Sequence, residues 1–95
     1  LGVLALSVVI RRLLIDALKP REIPITELSK AICSAKGVRE VDVVVTEVDA
    51  KTETVKITIV GQNIDFDEVA KIIAQNSVAI RSVDQVVVRR TRRAV

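Results

Sequence analysis

The chain has 95 residues, a formal net charge of +3 at pH 7, and no His, Met, Trp or Tyr. One domain fits that length, with no room for two independent cores, and the absence of His excludes any triad or general base built on imidazole. Apolar residues make up 49% and aromatics only 1%, so Val and Ile carry the hydrophobic share and their β-branched side chains favour pleated sheet.

The first ten residues, Leu1 to Ile10, are almost entirely apolar, and Arg11 and Arg12 follow them. A signal peptide has the opposite order, basic residues before the apolar run. The run is also about half the length of a membrane-spanning helix. Residues 1–9 are therefore expected to belong to the fold or to an interface of a cytoplasmic protein. The first strand is predicted from Ile10 to Leu18, ending at Lys19-Pro20. Pro20 and Pro24 bracket a loop, since each removes a backbone donor and restricts the residue before it.

Helical spacing of Ile25, Leu28, Ile32 and Ala35 predicts a helix from Ile25 to Ala35, stopped by Gly37. Cys33, the one cysteine, rules out an intramolecular disulfide and is expected as a buried small hydrophobe of that helix. Val38 to Val48 reads as the second strand, Asp49 to Thr52 as a polar turn, and Thr54 to Val60 as the third strand, a hairpin. In the third strand Val55, Ile57 and Ile59 point one way and Thr54, Lys56 and Thr58 the other. The second helix has the clearest start. Asp65 is the expected cap, Glu68 completes a capping box, and Ile64 with Val69 forms a hydrophobic staple ahead of the stripe Phe66, Val69, Ile72, Ile73. Val78 to Val88 is the last predicted strand, followed by a basic tail, residues 89–95.

The order βαββαβ predicts an α+β, ferredoxin-like sandwich: a four-stranded antiparallel sheet in the order 4-1-3-2, with both helices on one face. Neither set of alternate strand positions is uniformly polar. Leu13 and Ile15 oppose Leu14 and Leu18 in strand one, Val43 and Val45 oppose Val44 and Val48 in strand two, and Val86 to Val88 run consecutively. A second apolar sheet face is costly when bare, so either residues 1–10 seal it or another subunit does. A homo-oligomer is the expected outcome.

Sequence tests against known chemistries of this topology are mostly negative. The loop Lys19-Pro20-Arg21-Glu22-Ile23-Pro24 holds neither the Cys-x-x-Cys of heavy-metal carriers nor the glycines of a phosphate cradle. No strand carries the aromatic side chains on which RNA-recognition modules stack bases. No cofactor, catalytic residue or membrane partner is expected. Asp16, flanked by Ile15 and Ala17, is an unusual place for a carboxylate. Asp84 in the neighbouring strand gives the pair a weak claim to a hard cation, although a salt bridge from Arg81 or Lys19 accounts for Asp16 as well. Charge makes the remaining case. Arg89, Arg90, Arg92 and Arg93 outweigh the whole formal balance of +3, so the body itself is not basic. Arg11 and Arg12 begin the strand adjoining that tail, and the six together form a candidate anion-binding cluster for nucleic-acid backbone or another polyanion. A solvated terminus is the competing reading.

Three segments resemble a small archaeal family known only as a domain of unknown function. Arg11-Arg12-Leu13-Leu14-Ile15-Asp16-Ala17-Leu18-Lys19-Pro20 is similar to its opening. Glu53-Thr54-Val55-Lys56-Ile57-Thr58-Ile59 with Gly61-Gln62-Asn63-Ile64-Asp65-Phe66 is similar to its middle, and Ser82-Val83-Asp84-Gln85-Val86-Val87 to its last strand. The resemblance covers about Arg11 to Val88. It implies a ferredoxin-like fold, a ring-like or other homo-oligomeric assembly and an archaeal cytoplasm, and no established activity. The family tends to carry His at the position of Arg21. A charged, aliphatic composition sparing in Asn, Gln and Met also suits a heat-loving source.

Overall fold

Strict alternation in the first strand sets the core. Leu13, Ile15 and Ala17 are buried, while Leu14, Asp16 and Leu18 between them face the other way and are only half-buried, the period of two that a sheet with one covered face imposes. The computed structural model describes residues 4–94, and side chains over 7–92. It comprises β1 (Leu4–Pro20), α1 (Ile25–Cys33), β2 (Val38–Val48), β3 (Thr52–Gly61), α2 (Phe66–Gln75) and β4 (Ala79–Ala94). All pairings are antiparallel, and the sheet order is β2-β3-β1-β4. This is the expected 4-1-3-2 order, and the fold is the ferredoxin-like α+β sandwich.

Register brings Leu13, Ile15 and Ala17 opposite Ile59, Ile57 and Val55 of β3, and Leu28 and Ile32 of α1 with Val69 and Ile73 of α2 close the core over them. Burial of each such aliphatic side chain stabilises the fold by about 1.5–3 kcal/mol. α1 stops at Cys33, two positions earlier than its spacing predicts. The amides of Ser34 and Ala35 bond back to Ala31 and Ile32, tightening the last turn to i→i−3 geometry. Cys33 is exposed, contrary to the buried role expected of it. Its neighbour Ile32 holds the buried stripe, and one residue further turns the side chain about 100° away around the helix.

The capping box of α2 is half-made. Asp65 accepts the Glu68 amide at 3.1 Å, but the Glu68 carboxylate reaches across to the Lys36 amide at 3.2 Å and the Asp65 amide bonds Lys36 O at 3.0 Å. Glu68 thus ties the start of α2 to the loop between α1 and β2 instead of closing its own first turn.

The two ends of the chain are the largest departure from expectation. Residues 4–9 neither fold back over the open sheet face nor form a separate segment, and residues 89–94 do not trail as a free tail, although the side chains of Arg89, Arg90 and Arg92 are exposed. The two segments extend β1 and β4 and pair with each other, from Leu4↔Ala94 to Val9↔Arg89. The Ser7 and Thr91 hydroxyls meet at 2.8 Å across this ribbon. β3 stops pairing with β1 at Arg12, so about 26 Å of two-stranded ribbon runs beyond the four-stranded body. The radius of gyration is 15.4 Å and the extents are 62 × 21 × 17 Å, whereas a compact domain of this size has a radius of about 13 Å.

Candidate functional site

β4 is an edge strand with almost nothing packed on it. From Arg81 to Arg90 every side chain is exposed, including Val83, Val86, Val87 and Val88, the last 54% open. On the arm, Val8 is 68% exposed. Isolated two-stranded ribbons are marginal in water, and a long apolar edge offers a template for another strand. This edge is the outstanding surface of the molecule.

The arginines expected to cluster lie along it. Arg89 and Arg90 pair with Val9 and Val8, and Arg92 with Leu6, so successive residues of the array alternate between the two faces of the ribbon. They form a stripe along an edge and do not converge on one pocket. Arg11 and Arg12 are at its root and already engaged. Arg11 Nε donates to Gly61 O at 3.0 Å, and Arg12 Nε donates to Gln85 Oε1 at 3.0 Å. No described carboxylate lies within ion-pair distance of Arg89, Arg90 or Arg92. Arg93 takes its place in the register opposite Ala5; its side chain lies outside the described residues.

On the open sheet face, β4 departs from regular pairing with β1 between Leu14 and Ile15 and again between Asp16 and Ala17, leaving Asp84 and Arg81 as the extra residues of two bulges. Bulges re-aim side chains, and here both turn to one cluster. Arg81 Nη2 reaches Asp16 Oδ2 at 3.2 Å. Lys56, directly opposite Asp16 in β3, places its ammonium 3.1 Å from Asp84 Oδ2 and 3.7 Å from Asp16 Oδ1. The space between the two carboxylates therefore holds an ammonium. Arg81 is the partner expected for Asp16; Lys19 is not, because it lies on the opposite face. The alternation Thr54, Lys56, Thr58 places Lys56 on the face away from Val55, Ile57 and Ile59, but only the pairing of β1 with β3 sets it opposite Asp16.

The Ser82 hydroxyl, 2.7 Å from Asp84 Oδ1, and then Lys56 hold the Asp84 carboxyl below its ordinary 3.8, while the hydrogen bond to Asp84 leads in holding Lys56 above 10.5. A carboxyl lowered by folding stabilises above its ordinary value and loses that contribution as pH falls through the lowered one; the raised ammonium stabilises below 10.5 and loses its contribution as pH rises past its raised value. Both groups are exposed, so the effect is small. Melting temperatures of wild type and Asp84→Asn should differ slightly at neutral pH and converge in acid, as pH falls through the lowered value of the Asp84 carboxyl. A gap that stays constant with pH would refute the pairing.

Two hollows flank the sheet. One, about 340 Å³, is lined by Lys19, Arg21, Ile23 to Thr26, Val45 and Glu53. Its lysine is not a free cation. Lys19 is 1% exposed, 2.7 Å from Glu53 Oε1, and donates to the carbonyls of Pro20 and Ile23. The other, about 330 Å³ and wholly apolar, lies among Ile10, Leu13, Phe66, Val83 and Val86 at the root of the arm. Among the described residues no three His, Cys, Asp or Glu side chains converge as a metal would need, and no helix is long and apolar enough to cross a membrane.

The chain belongs to the DUF211 family, described as uncharacterised ArCR, which matches residues 11–91. An uncharacterised protein of the archaeon Methanocaldococcus jannaschii is 44% identical over 78 residues, spanning 82% of this chain and 80% of that protein. The family match begins at Arg11, at the root of the arm, so the apolar strand of the ribbon precedes it.

Proposed function

We propose that this protein is a non-catalytic, self-assembling cytoplasmic domain whose role is structural or regulatory, exercised through binding a partner or ligand. One observation carries this reading: a 16-residue edge strand whose side chains from Arg81 to Arg90 are all exposed, four valines among them. Bare β-branched surface at an unpaired edge is unfavourable for a monomer, and burying it between copies converts that cost into association. The arm supports the same reading, since among the described residues its two strands pair with each other alone and Val8 is 68% exposed. The two apolar sheet faces expected from the sequence reduce to one helix-covered face and one open face with Leu14, Leu18, Val44 and Val87 on it.

Light scattering at micromolar concentration, in low and in high salt, tests this directly. A single defined mass above that of the monomer is expected in both conditions, because apolar burial and strand hydrogen bonds resist screening. A monomer in both would overturn the proposal.

A further inference from the structure

We infer that the two open edges of the sheet pair with each other between copies, β4 of one chain adding to β2 of the next as an antiparallel strand; this rests on the self-assembly proposed above. Strand polarity allows it. Neighbours alternate in direction across β2-β3-β1-β4, so the two edges of a four-stranded sheet run oppositely. A second copy set beside the first then continues the alternation without a turn.

Charge selects it. β2 presents exposed Glu40, Asp42 and Glu47, with Arg39 as its one basic residue, and β4 presents exposed Arg81, Arg89, Arg90 and Arg92 against the single Asp84. An acidic edge thus stands at one side of the molecule and a basic edge at the other. Pairing β4 with β4 or β2 with β2 is also antiparallel in principle, but it sets like charges side by side, which destabilises a ladder. The arginines therefore act as a choice of partner: they oppose the symmetric dimer and favour the head-to-tail contact.

Apolar surface and length agree. Val44 and Val48 are exposed on β2, as Val83 and Val86 to Val88 are on β4. β4 has 16 residues against 11 in β2, so it can slide along its partner. An offset of about five residues, roughly 17 Å, brings Arg90 and Arg92 alongside Glu40 and Asp42 and gives the arm a third strand. A contact between unlike edges repeats in one direction, and the single defined mass expected above requires that its rotation close into a cycle.

Two charge-reversed proteins decide the matter: one carrying Arg90→Glu with Arg92→Glu, the other Glu40→Arg with Asp42→Arg. Each alone should lose the wild-type mass in light scattering, with assembly at least tenfold weaker, and an equimolar mixture should recover it because each variant's altered edge now matches the other's. Wild-type mass retained by both variants, or no recovery on mixing, would overturn the edge pairing and leave self-association standing. A monomeric wild type would overturn both, as would a wild type that gains mass only when mixed nucleic acid is added. Circular dichroism checks that the variants fold. Should a reversal unfold the chain, Arg90→Gln with Arg92→Gln and Glu40→Gln with Asp42→Gln replace it: weakened assembly in each sustains the inference, and an unchanged mass overturns it.

Discussion

Gly37→Ala is expected to unfold the protein at temperatures where the wild type is stable. Gly37 has φ +85°, a left-handed conformation in which an L side chain is strained, and space compounds the strain. A Cβ there would sit 1.8 Å from Asn63 O and 2.4 Å from Asn63 C, both backbone atoms that no rotamer change can clear. The crowding comes from a crossing of two loops. The Gln62 amide donates to Gly37 O at 3.1 Å and the Asp65 amide to Lys36 O at 3.0 Å, so the stop of α1 and the start of α2 are laced together. Moving them apart breaks those bonds and shifts Ile64, which is buried in the core. A loss of about 4 kcal/mol follows from backbone strain and lost packing combined. For a domain this small that lowers the melting temperature by on the order of 20 °C and removes much of its total stability. Thermal unfolding of Gly37→Ala beside wild type measures it. A change of only a few degrees would mean that the loops yield and that their crossing is not a fixed point of the fold.

The body of the molecule was legible because its patterns are local. Alternation in Leu13-Leu14-Ile15-Asp16 and in Thr54 to Ile59, the prolines around Glu22, and the cap at Asp65 each specify conformation within a few residues of themselves, and right-handed crossovers left one topology. The ends were not legible for the opposite reason. Leu4 to Val9 lacks alternation, and Arg89 to Arg93 has the composition of a solvated terminus; only their pairing, across 84 residues between Ser7 and Thr91, makes either a strand. Bulges hid the polar cluster in the same way. A regular ladder alternates Arg81, Ser82, Val83 and Asp84 between faces, whereas the two slips in register with β1 turn Arg81 and Asp84 together onto Asp16 and Lys56. Where a single extra residue changes which face a side chain takes, the sequence pattern carries no signal of it.

Lys19 follows the alternation faithfully and shows what that can cost. It lies two positions beyond Ala17 on the helix-covered face, so the period of two sends an ammonium inside, where it is 1% exposed against 19% for its partner Glu53. That asymmetry sets the second large effect. Glu53→Gln removes the counter-charge from a cation with no access to water, and an uncompensated buried charge destabilises by about 3 kcal/mol or more. Lys19→Met instead removes the buried charge, keeps an unbranched side chain of similar length in the core, and leaves a carboxylate that water can still reach. Its loss should be near 1 kcal/mol, the residue of the hydrogen bonds to the Pro20 and Ile23 carbonyls. The double variant should resemble Lys19→Met, since once the ammonium is absent Glu53 has nothing to neutralise. Urea unfolding of the three proteins at neutral pH gives the ordering. Equal losses for the two single variants would show that hydration reaches Lys19 in solution, and that the pair at the head of α1 is a surface bridge and not a buried one.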